Sequence, residues 1–208
     1  MTGRFLSLEG GEGAGKSTQA QALAAALEAR GLPVLVTREP GGSEGAEAIR
    51  ALLMEGDVKR WSAHAETLLF AAARADHVEK VIRPAIEAGT WVITDRFIDS
   101  TRAYQGGAGG IDDAAILALH GFGSRGLLPD RTFVLDLPIA EGARRAALRD
   151  GAMADRFAMR GEHFHAEVAR AFRAFAGREP SRFRIIDANR SPGDVTAMLL
   201  AQMSDLLP

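Results

Sequence analysis

The sequence predicts an α/β fold in three layers, a five-stranded parallel sheet flanked by helices on both faces. Three observations carry this reading. Five short apolar runs alternate with longer segments whose apolar residues recur at helical spacing. The first run ends in Gly10-Gly11-Glu12-Gly13-Ala14-Gly15-Lys16-Ser17, which fits G-x-x-x-x-G-K-[ST] without a mismatch and leads straight into a helical pattern. The polar and glycine-rich segments follow the runs, at the strand ends where ligands gather in such sheets.

Phe5, Leu6 and Leu8 form the first strand. The glycines after it let successive N–H groups turn inward toward phosphate oxygens, and the unpaired amides opening the next helix add to that field. Lys16 is then placed to reach the outer phosphates and the Ser17 hydroxyl a Mg²⁺ ion, with Thr18 completing the nucleotide loop. Ala20, Leu23, Ala24 and Leu27 share one helix face. Gly31 and Pro33 end that helix, and 34–36 is a second strand running into 37–42. Ser43 is a good N-cap for a helix whose apolar face holds Ile49, Leu52 and Leu53. A long helical region covers 63–88, with Pro84 expected to kink or restart it. The third strand, 91–94, is continuously apolar and so buried on both faces, and it runs into Asp95-Arg96-Phe97. Helical segments broken by the glycines of 106–110 lead to a fourth strand at 132–137. A helix from about Ile139, an arginine-rich stretch at 149–161 and a helix through Phe164, Val168, Phe172 and Phe175 come next. The fifth strand, 183–186, passes through 187–189 to a last helix near Pro192. No repeat or linker divides the 208 residues, which read as a single domain with room for a mobile insertion.

A net charge of −2 gives no reason to expect a nucleic-acid polymer as partner, so any anion must be held by local groups. The absence of cysteine excludes disulfides, thiolate metal sites and cysteine nucleophiles. No apolar run approaches the ~18 residues of a membrane helix, and the N-terminus lacks a signal-peptide layout, so no membrane is expected and the cytoplasm is the default location.

A phosphate loop names a nucleotide and leaves its use open. The D-x-x-G and N-K-x-D motifs of GTPases do not occur. Further positive charge beyond Lys16 points to a kinase that holds two polyanions end to end. Thr37-Arg38-Glu39-Pro40-Gly41-Gly42, then Leu69-Phe70-Ala71-Ala72-Ala73-Arg74, then the run from Asp95-Arg96-Phe97 through Thr101, Tyr104 and Gln105 to Gly107 resemble the successive signatures of bacterial thymidylate kinases. Asp155-Arg156-Phe157 and Ile186-Asp187-Ala188 extend the resemblance over nearly the whole chain.

The resemblance implies residue roles. Phe70 would stack on the thymine ring of dTMP, and Arg74, four residues on, would donate to its O4. Cytosine would leave Arg74 facing another donor. Thr101 and Gln105 would meet the base's other polar edge, and Tyr104 would pack at the sugar. Arg50 and Arg96 would grip the acceptor phosphate, with Glu12 near the acceptor's sugar and phosphate. Asp95 would organise the water shell of the metal, with Glu39 in the same polar network. The stretch at about 149–161 would be a mobile lid over ATP, from which Arg149 and Arg156 would supply the positive charge that the loop lacks, as in the subgroup with lid arginines. The chain departs from the family pattern at Ala158, where glutamate is usual, so that contact is absent or supplied by Glu162. Taken alone, Phe70 suits a core, Tyr104 half-buried packing and Arg50 a solvated helix.

The reaction implied is transfer of the ATP γ-phosphoryl group to dTMP with Mg²⁺. The acceptor is already largely dianionic at neutral pH, so alignment and charge neutralisation suffice. Family members are commonly homodimers. A deoxynucleoside kinase and a non-enzymatic nucleotide switch remain open as alternatives.

Overall fold

The structure, a computed structural model, describes residues 3–57, 59–150, 157 and 160–208, and of 149 and 150 only the backbone. Strands β1 (Phe5–Glu9), β2 (Val34–Arg38), β3 (Trp91–Asp95), β4 (Arg131–Asp136) and β5 (Phe183–Asp187) form one parallel sheet in the order β2-β3-β1-β4-β5. The order reverses about β1, so the phosphate loop leaves the sheet at its switch point, where neighbouring connections diverge and open a crevice.

Alternation along β1 sends side chains to both faces. Leu6 and Leu8 pack with α1 (Lys16–Glu28) and α9 (Pro192–Ala201), together with Ile93, Leu135 and Leu199. Phe5 turns the other way, toward Val92, Phe97 and Ile116, the last on α6 (Asp113–Ser124). On that same face Val134 and Phe183 meet Val168, Phe172 and Phe175 of α8 (Glu162–Arg178). The predicted apolar face of α1 is buried at Ala20, Leu23, Ala24 and Leu27. α2 (Glu44–Met54) opens on Ser43, whose Oγ accepts from Ala46 N at 3.4 Å.

The long helical region is a restart. It comprises α3 (Ala63–His77), a π-helical turn Val78–Ile82 and α4 (Arg83–Glu87), with Pro84 in the first turn of α4. The wider turn ends two residues before Pro84, whose nitrogen can donate no hydrogen bond. A second π-helical turn, Arg102–Gly107, continues α5 (Ile98–Thr101) to the glycines expected to break it. β4 starts one residue earlier than its apolar run suggests, because Arg131 is buried and bonded to Gln202 O and Asp205. α7 (Ile139–Asp150) follows β4. No helix among the described residues is long and apolar enough to cross a membrane.

Candidate active site

The phosphate loop is shaped by left-handed glycines and by α7. Gly13 (φ 68°) and Gly15 (φ 86°) adopt backbone that side chains disfavour, and a Cβ on Gly13 would lie 2.1 Å from Gly142 O. The contact is reciprocal, since a Cβ on Gly142 would lie 2.6 Å from Glu12 O. Lys16, at the start of α1, is buried and donates from Nζ to Gly10 O at 3.2 Å and Gly11 O at 2.8 Å. Burial, then the nearby Arg96, lowers its pKa, against the pull of Glu12, Asp95 and Glu9. Ser17 Oγ donates to Asp95 Oδ2 at 2.5 Å, which sets a hydroxyl and a carboxylate oxygen together beside the loop. Oxygen donors of this kind suit Mg²⁺.

The strand end of β3 brings Arg96 over the loop. Its φ is 70°, a left-handed conformation that costs an ordinary residue about 1 kcal/mol. The turn is held by Arg96 N donating to Leu8 O at 2.9 Å and Thr94 Oγ1 donating to Arg96 O at 2.8 Å. The guanidinium donates to Glu12 Oε1 at 2.6 Å, Gly10 O at 3.2 Å and Ser100 Oγ at 3.2 Å, and lies 5.0 Å from the centre of the Tyr104 ring. Burial opposes its charge, but Tyr104, Glu12, Asp95 and Glu9 together hold its pKa above the ordinary arginine value. Tyr104 is buried with its hydroxyl 3.5 Å from Glu12 Oε1. Beneath this group Glu9 accepts from Phe97 N at 2.8 Å and Ser100 Oγ at 2.6 Å. Burial, then Asp99, raises the Glu9 pKa to about 8.

One cavity of about 460 Å³ extends from Lys16 and Ser17 past Arg96 to Phe70, Arg74 and Gln105. Phe70 is half-buried and faces Phe157 with ring centres 5.7 Å apart. It therefore forms a cavity wall and is not closed core. Arg74 is buried, its Nε donating to Glu39 Oε2 at 2.7 Å and its Nη2 to Thr101 Oγ1 at 2.8 Å and Phe97 O at 3.3 Å. Arg50 lines the same cavity and donates to Pro40 O at 2.7 Å.

Most expected site residues thus meet around one cavity, and Glu39 differs from expectation in its contacts. Glu39 does not join Ser17 and Asp95 through its side chain; Arg74 and His77 take its carboxylate, while its N–H donates to Asp95 O. The Thr101 hydroxyl accepts from Arg74 and lines the same cavity. The side chain of Arg149, all of Arg156 and Ala158, and most of the expected lid lie outside the described residues. Sequence reasoning missed Glu66, which accepts from Gln105 Nε2 at 2.9 Å and from Arg160 at 3.1 Å. Helical spacing could have found it, because 66, 70 and 74 fall on one helix face. It also missed Ser100, four residues after Arg96, and the buried Asp99–Arg182 pair at 2.6 Å that fastens the Thr101–Gln105 segment to the sheet. For Arg182 and Arg160 no sequence pattern signals a partner.

A family model described as thymidylate kinase matches residues 8–199. A thymidylate kinase of Rhizorhabdus wittichii is 62% identical over 208 residues, all of both chains. One from Caulobacter vibrioides is 50% identical over 197 residues, covering 95% of this chain and 94% of the relative. A crystal structure of thymidylate kinase from Ehrlichia chaffeensis superposes with a TM-score of 0.78 at 31% identity, covering 98% of this chain and 99% of that one. The ordered motifs, the sheet and these likenesses over full length agree, and the chain belongs to the thymidylate kinase family.

Proposed function

We propose that this enzyme transfers the γ-phosphoryl group of ATP to dTMP, giving dTDP and ADP. The observation that carries the reading is the single cavity that joins Lys16 and Arg96 to Phe70 and Arg74. It pairs a phosphate-binding end with an aromatic wall and a fixed guanidinium of the kind a keto pyrimidine requires.

Phe70 stacks on the base, and Arg74 donates to O4. Tyr104 packs at the sugar, where it disfavours a 2′-hydroxyl. Arg50 and Arg96 hold the acceptor phosphate, and Glu12 keeps Arg96 directed at the junction of the two phosphate chains. An acceptor oxygen forms a bond to the γ-phosphorus as the bond to the β–γ bridging oxygen breaks. The electron pair leaves with ADP, and no proton need be removed from the acceptor dianion. Lys16 and the loop amides from Gly10 to Thr18 neutralise the charge on the transferring group. Ser17 and Asp95 would hold Mg²⁺, which would supply positive charge to the phosphates. Arg149 and Arg156 act from a lid at about 149–161, within a single domain of 208 residues.

The enzyme works in the cytoplasm as a homodimer. Exposed Phe122 and Leu117 on α6 and Leu68 on the adjoining α3 support the dimer, since such apolar surface marks an interface. A coupled ADP-release assay with dTMP, dUMP, dCMP and thymidine tests the assignment. Turnover with dTMP and not with thymidine is expected; the reverse order would make the protein a nucleoside kinase, and nucleotide binding without turnover would make it a switch.

A further inference from the structure

Gln105 can turn either end of its amide toward the cavity, and Glu66 makes that choice. Glu66 lies on α3 one helical turn before Phe70 and is 3% exposed. Both of its oxygens receive Arg160 Nη2, at 3.1 and 3.2 Å. The Arg160 guanidinium is itself held over the rings of Phe157 and Phe164, at 5.2 and 4.5 Å from their centres. A carboxylate engaged in this way accepts hydrogen bonds and donates none. The group of Gln105 that faces it at 2.9 Å must therefore be the amide NH₂. Its carbonyl oxygen is left to the other side, where Gln105 lines the cavity and Oε1 has no hydrogen-bond partner among the described residues.

Arg74 shows the complementary pattern. Nε and Nη2 are committed to Glu39, Thr101 and Phe97, whereas Nη1 has no protein partner among the described residues. The cavity thus offers a fixed donor from Arg74 and a fixed acceptor from Gln105. Thymine offers the matching pair, the O4 acceptor beside the N3–H donor. Cytosine offers the opposite pair, an amino donor at C4 and a bare N3 acceptor, and would leave both protein groups facing like partners.

We propose that Glu66, paired with Arg160, is a positioning residue for base selection: it locks the Gln105 amide with its carbonyl toward the acceptor base and so demands an N3–H. The proposal rests on the dTMP reading above. It makes Arg160, at the end of the lid stretch, part of base selection, although it stands behind the residue that reads the base.

The test is the ratio of kcat/KM for dTMP over dCMP in wild type and Glu66→Gln. In the variant Arg160 claims the new carbonyl, the new NH₂ faces Gln105, and the Gln105 amide turns over. The dTMP preference should fall by about tenfold or more, while the KM for ATP stays within about twofold. A merely structural role would lower both acceptors alike, and an unchanged ratio overturns the proposal. If Glu66→Gln does not fold, Glu66→Gln with Arg160→Met removes both charges of the pair and should show the same loss of preference. In a Gln105→Leu background Glu66→Gln should no longer change the ratio; a further change there also overturns the proposal, since Glu66 would then act by another route. Wild-type protein that fails to turn over dTMP sinks the functional reading itself, whereas a dTMP-selective wild type with unaltered variants sinks only the role of Glu66.

Discussion

Arg96 Nη2 donates to Glu12 Oε1 at 2.6 Å, tying the turn after β3 to the middle of the phosphate loop. The pair explains why an acidic residue stands in a loop built for anions: it gives the guanidinium, which Gly10 O and Ser100 Oγ hold through Nη1, a charged partner for Nη2. Glu12→Gln keeps the shape and removes the charge. Its kcat with dTMP should fall by about 10- to 100-fold, the worth of one hydrogen bond to a charged group, with little change in the KM for ATP. Steady-state kinetics in both substrates checks this, and an equal rise in the KM for ATP would place Glu12 on the donor side.

Lys16 rests on two carbonyl oxygens of its own loop in a buried site that lowers its pKa. On the proposed mechanism its charge serves the phosphates more than the fold. Lys16→Met should lose turnover by about 10²- to 10³-fold or more while its melting temperature does not fall. Calorimetry beside the activity assay separates the two effects, and a marked loss of thermal stability would show that Lys16 holds the loop together.

Glu9 makes stability depend on pH. Its folded pKa of about 8 lies above the ordinary value of 4.5, so the folded protein binds a proton there that the unfolded chain has lost. That contribution is fully present below about pH 4.5 and is lost as pH rises toward 8, with a slope of at most about 1.4 kcal/mol per pH unit. Glu9→Gln can still accept from Phe97 N and donate to Ser100 Oγ, so it should remove this component. Its melting temperature relative to wild type should rise between pH 5 and 8, and parallel curves for the two proteins would refute the shift.

Phe122 is 92% exposed on α6, an extreme for a large apolar side chain. Phe122→Asp should convert a dimer to a monomer in sedimentation velocity, because a charge buried at an interface lacks a partner. Wild-type protein that sediments as a monomer would remove the dimer from the functional scheme.

Sequence alone determined the local features. The glycine loop between an apolar run and a helix, Ser43 as a cap, the buried face of α1 and the five strands follow from spacing and backbone preference, which act within a few residues of chain. The motif residues from Glu12 to Gln105 could be named because each stands in a recognisable run. Tertiary structure alone decided what they touch. The left-handed turn at Arg96 depends on a bond to Leu8 in a neighbouring strand, and the shape of the loop depends on Gly142 of α7, far along the chain. Glu39 could be placed near the metal or near the base until packing brought Arg74 and His77 against it. Glu66 had a helical position but no legible partner, since Arg160 lies 94 residues away and no periodicity spans that distance. Helical and strand periods report which way a side chain faces; which distant group meets it there is settled only when the layers pack.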